Sequence, residues 1–323
     1  MPLPTTFAGV SARGEGLFAA ASGPVIGSIV YWSSTLATSA NSFTTATWTC
    51  PAGVTSVSVV CVGPGSNNYA SGNSYFSSST IVQAIGGRSS GTPAGTYFAG
   101  GASYGYGGGG AGGYSSAGGA GATGVGRNGV SSTDGGGSGG SSSMQFQYGA
   151  NFYTGGNGGG GGVGLYGPNV GYSSSGGLYP TGGTGGYYGG TGGGSGASAG
   201  GAGGGGSSSG SSGAYDQYSH GRPGEGGPST NFAYIVTYYT GGNGGGGAFG
   251  GGAGGNGYGG YLAYKNNISV TPGNTYTVQV GLPTDNSASN GGGGGVRIVW
   301  PGATRQFPST LVSTTTNETV NSI

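Results

Sequence analysis

One imidazole, two thiols, seven basic and six acidic side chains are the whole acid–base and nucleophilic stock of this 323-residue chain. His220 is the single imidazole, and Asp216 lies close to it in sequence. A hydrolytic triad needs its nucleophile on a strand-to-helix elbow, and no Gly-x-Ser-x-Gly stands in such a setting. The six carboxylates are scattered, with no pair placed for general acid–base work. No Gly-Lys-Ser/Thr closes a phosphate loop. Matches to Gly-x-Gly-x-x-Gly carry no information where 90 residues are glycine. One His and two Cys do not make a zinc set. The expectation is a non-enzyme with no metal and no cofactor, in which His220 is a surface side chain.

What remains is recognition chemistry. The chain holds 23 tyrosines, most of them in segments rich in Ser, Asn and Gly. Tyrosine offers a large rigid contact at low entropy cost, while Ser, Gly and Asn adapt their hydrogen bonds, as in antibody loops. The candidate ligand contacts are Tyr69 and Tyr75, Tyr148 and Tyr153, Tyr172 and Tyr179, and Tyr238 and Tyr239. Tyr215, Tyr218, His220 and Arg222 form the densest polar group and are the first choice among them. Aromatic rings also fill cores, so packing on the flanks of a scaffold is the competing role for each.

Charge excludes some partners. A formal charge of +1, with the basic residues scattered singly, leaves no electrostatic footprint for nucleic acid or anionic lipid. No apolar run approaches the ~20 residues of a membrane span. Residues 1–43 lack the basic and apolar regions of an export signal, so none is expected there. Cys50 and Cys61 flank the turn at Pro51-Ala-Gly53. A hairpin disulfide and two buried free thiols both remain open.

Phe43-Thr-Thr-Ala-Thr-Trp-Thr-Cys50 and Val54-Thr-Ser-Val-Ser-Val-Val-Cys-Val62 read as two strands with apolar residues at period two. Matching strands come much later, at Tyr261-Leu-Ala-Tyr264, Asn267-Ile-Ser-Val270, Thr275-Tyr-Thr-Val-Gln-Val280 and Val296-Arg-Ile-Val-Trp300. A lone hairpin is marginal, so both ends are expected to build one antiparallel β-module, from 43–65 and 261–300. Residues 1–42 read as an arm with one strand, Val25-Ile-Gly-Ser-Ile-Val-Tyr-Trp32, and 301–323 as a loosely packed tail. No α-helix is expected.

Between the halves lies a glycine-rich region, 66–260; its stretch 100–260 holds 69 of the 90 glycines. Glycine loses the most backbone entropy on ordering, so order here needs a reason specific to glycine. Ala111, Tyr114, Ala117, Ala120 and Thr123 are spaced by three, the repeat of a polyproline-II-type helix. Polyglycine helices of that type pack closely because no Cβ separates them, each backbone bonding to its neighbours. The expectation is an inserted bundle of polyglycine-II helices with tyrosine-rich loops.

The run Phe43-Thr-Thr, Trp48-Thr-Cys-Pro-Ala-Gly-Val54, the glycine blocks, Val270-Thr-Pro-Gly-Asn-Thr-Tyr-Thr-Val278 and Gly293-Gly-Gly-Val-Arg-Ile-Val-Trp300 resembles the glycine-rich module of phage tail proteins. The glycine blocks with aromatic loops are similar to the receptor-binding adhesins at the tips of T-even-like tail fibres. That resemblance implies a virion protein whose loops bind a host surface receptor, glycan or outer-membrane protein, and whose residues 1–42 attach to other fibre proteins. It leaves room for a homo-oligomer. A purely structural fibre or extracellular filament subunit, with tyrosines buried between subunits, is the alternative. A polyglycine antifreeze protein is third.

Overall fold

The computed structural model describes residues 25–33, 35, 37–66, 69–104, 107–121, 123, 145–148, 151–154, 160–165, 250, 257–283, 291–308 and 318–323. Among these there is no helix. The strands are β1 Gly27–Trp32, β2 Phe43–Thr49, β3 Ser56–Val62, β4 Ser74–Phe76, β5 Val82–Ala84 and β6 Thr96–Phe98. After them come β7 Gln145–Tyr148, β8 Asn151–Thr154, β9 Leu262–Ser269, β10 Thr275–Gly281, β11 Gly295–Trp300 and β12 Glu318–Ser322.

A six-stranded sheet runs β12-β1-β11-β3-β9-β6 and a four-stranded sheet β2-β10-β4-β5, while β7 and β8 pair alone. Every pairing is antiparallel except β1 with β12, which is parallel. Both chain ends therefore build the β-module, as the alternating runs predict, and it extends beyond the expected bounds. β1, from the stretch read as an arm, lies between β11 and β12, the latter from the stretch read as a tail. β4, β5 and β6 lie inside 66–260, yet they complete the two sheets.

Two turns set the register. In Pro51-Ala-Gly-Val54 and Thr271-Pro-Gly-Asn274 the fourth N–H returns to the first carbonyl, and Gly53 and Gly273 have φ of 79° and 81°. That is the type II turn, whose third position needs glycine. The turns are stitched together: Cys50 N–H donates to Asn274 O, and Gly273 N–H to Cys50 O, both at 2.9 Å.

The first core fills the space between the sheets. Val57, Val59 and Cys61 of β3 meet Val278 and Val280 of β10, Val296 and Ile298 of β11, and Phe76 of β4. Trp48 anchors it, with ring centroids 5.7 to 5.8 Å from Phe76, Tyr276 and Trp300. Burying each such side chain stabilises by ~1.5–3 kcal/mol. β3 departs from the half-buried strand its alternation predicts: all residues from Val57 to Val62 are buried. Its other face, with Val60 and Val62, meets Val30, Leu262, Val299, Ala111, Tyr114, Val163, Leu165 and Phe307 in a second core. The apolar run at 59–62 reflects burial on two sides.

That second core is roofed by glycine segments. Gly109, Gly110, Ala111 and Gly112 donate in turn to Gly257, Gly119, Gly161 and Gly260. Three successive residues thus address three different segments, and the fourth returns to the first. The same step of three recurs where Gly118 and Gly121 donate to Ala99 and Ala102. A Cβ on Gly101, Gly109, Gly118, Gly121, Gly160 or Gly259 would fall within 3.0 Å of backbone from another segment, and none of these six has a left-handed φ. Glycine is held here by space and not by its dihedral freedom.

The β3–β9 register shifts between Val57 and Val59, and Asn267 of β9 sits at φ 52°, as at a β-bulge. Beside it, the Asn266 side chain donates to Phe307 O at 2.6 Å and accepts from Phe307 N–H at 2.8 Å. Phe307 stacks on Tyr114 at 6.0 Å, and Tyr114 OH donates to Gly164 O at 2.8 Å. This chain of contacts ties the six-stranded sheet, residues 301–308 and the glycine roof together.

Candidate functional site

Among the described residues no three His, Cys, Asp or Glu side chains gather where a metal could sit. Cys50 and Cys61 are both free and buried, which decides between the two readings of the pair. Burial pushes both thiols above their ordinary range, and Cys50 Sγ donates to Val54 O at 3.2 Å. Thiols held protonated are poor nucleophiles at neutral pH.

Exposed aromatics are a different matter. Tyr69, Tyr97 and Tyr104 are 59%, 48% and 57% exposed, against complete burial of Tyr114. Among the described residues tyrosines are thus both buried and exposed, and the exposed members mark the candidate surface. Tyr97 lies in β6, the edge strand beside β9, and Tyr104 follows the glycine segment that accepts from Gly118 and Gly121.

Tyr69 belongs to a corner where three loops meet. Asn41 N–H donates to Ala70 O, and Ser71 N–H to Gly87 O, each at 3.0 Å. Ser89 Oγ donates to Asn41 Oδ1 at 3.0 Å. Gly87 N–H donates to Pro64 O at 2.8 Å, and Ser66 exchanges bonds with Tyr258, N–H to O and N–H to Oγ, at 2.9 Å each. The Arg88 guanidinium lies 5.2 Å from the Tyr258 ring centroid, a cation–π contact worth ~0.5–1 kcal/mol at an exposed site.

Two residues of this corner hold unusual backbone. Asn41 and Arg88 both have φ of 57°, a left-handed conformation that costs a non-glycine residue ~1–2 kcal/mol. Asn is favoured there through its short polar side chain, whereas Arg is not among the enriched residues. Gly86 and Gly87 come just before Arg88, so this turn carries a long cation at the one place where glycine would be unstrained.

Of the residues singled out from the sequence, Tyr69 is exposed on this corner. Tyr75 is half-buried in β4, in register with Gln279 and Gln83. Tyr148 ends β7 opposite Asn151, and Tyr153 in β8 pairs with Phe146. Tyr172, Tyr179, Tyr215, Tyr218, His220, Arg222, Tyr238 and Tyr239 lie outside the described residues. Sequence reasoning missed Arg88, Tyr258 and Asn41 as site residues. The available signal was a lone Arg inside Gly86-Gly-Arg-Ser-Ser-Gly91, in a chain with only seven basic residues.

No family model matches the chain, and no curated protein or solved structure is similar enough to count as a match.

Proposed function

We propose that this chain is an adhesin of a phage tail fibre or tail tip, binding a bacterial surface receptor through exposed aromatic loops on a glycine scaffold. The observation that carries the reading is the pairing of two features. Glycine segments bond to three neighbours with a step of three, which supports a bundle of polyglycine-II helices. Tyr69, Tyr97 and Tyr104 stand exposed, next to backbone tied down by the Asn41–Ala70 bond, the β6–β9 pairing and the Gly121–Ala102 bond respectively. A preorganised aromatic surface binds with little ordering cost. Attachment to the rest of a fibre falls to the segment ahead of β1, because β1 itself is an interior strand of the sheet.

Labelled full-length chain incubated with a panel of bacterial strains, and read by flow cytometry, tests the proposal. Selective staining of some strains is expected. It should be lost in the triple variant Tyr69→Ala, Tyr97→Ala, Tyr104→Ala at unchanged melting temperature. Equal staining by that variant, or staining of no strain, would overturn it.

A further inference from the structure

We infer that the outer edge of β2 pairs with the same edge of a second copy of this chain, antiparallel and centred on Ala46, so that two four-stranded sheets join into one. The inference stands apart from the adhesive reading, since it concerns assembly and uses none of the exposed tyrosines. Among the described residues β2 has one neighbour, β10. The other sheet edges are short or charged: β5 and β6 have three residues each, and β12 opens on Glu318. β2 runs for seven residues, Phe43-Thr-Thr-Ala-Thr-Trp-Thr49, with no charge, proline or glycine. An edge without those protective devices is a template for another strand.

The β10 ladder fixes which backbone groups face outwards. Cys50 N–H donates to Asn274 O, and Leu282 N–H to Ser42 O, each at 2.9 Å, and both pairs continue the β2–β10 register. Bonding alternates along an antiparallel strand, so Thr44, Ala46 and Trp48 also turn their N–H and C=O towards β10. Phe43, Thr45, Thr47 and Thr49 then aim theirs at the outer edge, and these same four residues are exposed. The chain enters β2 from its inner side: the N–H groups of Ala37 and Asn41 donate to Pro283 O and Ala70 O, which flank β10 and β4.

A second copy fits this edge because the strand is its own match. With a two-fold axis at Ala46, Phe43 opposes the partner's Thr49, and Thr45 opposes the partner's Thr47. Each such pair exchanges two hydrogen bonds, and every outward-facing residue of β2 is used. Moving the centre to Thr45 or Thr47 leaves an end residue with nothing opposite it in the strand. The central register also sets threonine beside threonine and the Phe43 ring beside a threonine methyl, both favourable cross-strand pairs. No charge on the strand opposes its own copy. The contact is isologous and closes at two chains.

Sedimentation velocity of the full chain over a concentration series tests the pairing, and a reversible dimer with no larger species is expected. Thr45→Lys with Thr47→Lys sets the introduced ammonium groups against each other across the axis, and should raise the dimer dissociation constant by about tenfold or more. Thr45→Glu with Thr47→Lys sets each carboxylate against an ammonium of the partner, and should dimerise at least as tightly as the parent. Ala46→Cys brings two thiols to the axis, where the Cα atoms of a non-hydrogen-bonded pair lie ~4.5 Å apart, within disulfide reach. Mild oxidation should then yield a cross-linked dimer. Melting temperatures check that each variant is folded.

A parent that stays monomeric across the series, open-ended ladders of chains, or equal dimerisation by both charge variants would each overturn the inference. So would a dimer that Ala46→Cys does not cross-link. If the double-lysine variant fails to fold, the Glu/Lys variant and the cross-link still decide. A chain that dimerises in this register but stains no strain keeps the pairing and loses the adhesive reading.

Discussion

Gly109→Ala isolates the physical role assigned to the glycine roof. The new Cβ would meet the carbonyl of Gly101 and lie 3.1 Å from Gly259 N, all of it backbone that cannot swing aside. Overpacking of that kind costs ~1–3 kcal/mol. Displacing Gly101 also strains its bonds to Gly110 and Gly259, each worth ~0.5–1.5 kcal/mol net. Against this, removing glycine from the unfolded chain stabilises by ~0.4–1 kcal/mol. The net expectation is ~2–5 kcal/mol of destabilisation, a drop of roughly 5–15 °C in melting temperature. Gly273→Ala is the matched control, since nothing lies within 4 Å of its added Cβ and only its φ of 81° resists. It should cost about 1 kcal/mol. Thermal and urea unfolding of both variants read the difference. If Gly109→Ala is neutral or stabilising, space is not what retains these glycines, and the close-packed roof is wrong.

Three further outcomes follow from the same contacts. Tyr114→Phe keeps the stack on Phe307 but leaves the buried Gly164 carbonyl without its donor, and should lower stability by ~1–3 kcal/mol in urea titration. Asn266→Ala removes both bonds to Phe307, and should raise proteolytic cleavage within 301–308 well before the sheets unfold, as mass mapping of the fragments would reveal. Cys50 and Cys61 carry raised thiol pKa values, so the folded state keeps protons that the unfolded state releases above its own pKa of ~8.5. Stability is then complete below that pH and falls as pH rises through it, by up to ~1.4 kcal/mol per unit for each fully buried thiol. Cys50→Ala with Cys61→Ala should flatten the decline between about pH 8.5 and 10.

How legible this was in the sequence depends on what holds each element. β2, β9 and β10 announce themselves because period-two patterning and the Pro-Gly turn act locally. β3 was visible as a strand, but its second buried face was not, since the roof that covers it comes from 107–114 and 160–165. β4, β5 and β6 are three-residue strands in Ser- and Gly-rich text, defined by pairing of β4 with β10, β5 with β4 and β6 with β9. The spacing of three was legible in side chains at 111–123 and reappears as a step of three in backbone bonds. At the candidate surface, Tyr69 could be picked out by its neighbours Asn67 and Asn68. Arg88 stood out only as a lone cation among glycines, because its partner Tyr258 comes from the far side of the glycine region and its left-handed φ does not show in the residue type.

The most direct measurement is hydroxyl-radical footprinting of the full-length chain, alone and bound to cells of a strain it stains. An adhesin predicts that Tyr69, Tyr97 and Tyr104 are oxidised in the free protein and protected on cells, with Tyr114 protected in both. Protection of all three before cells are added, or no added protection on cells, would place these tyrosines in a subunit contact or leave them idle, and contradict the account.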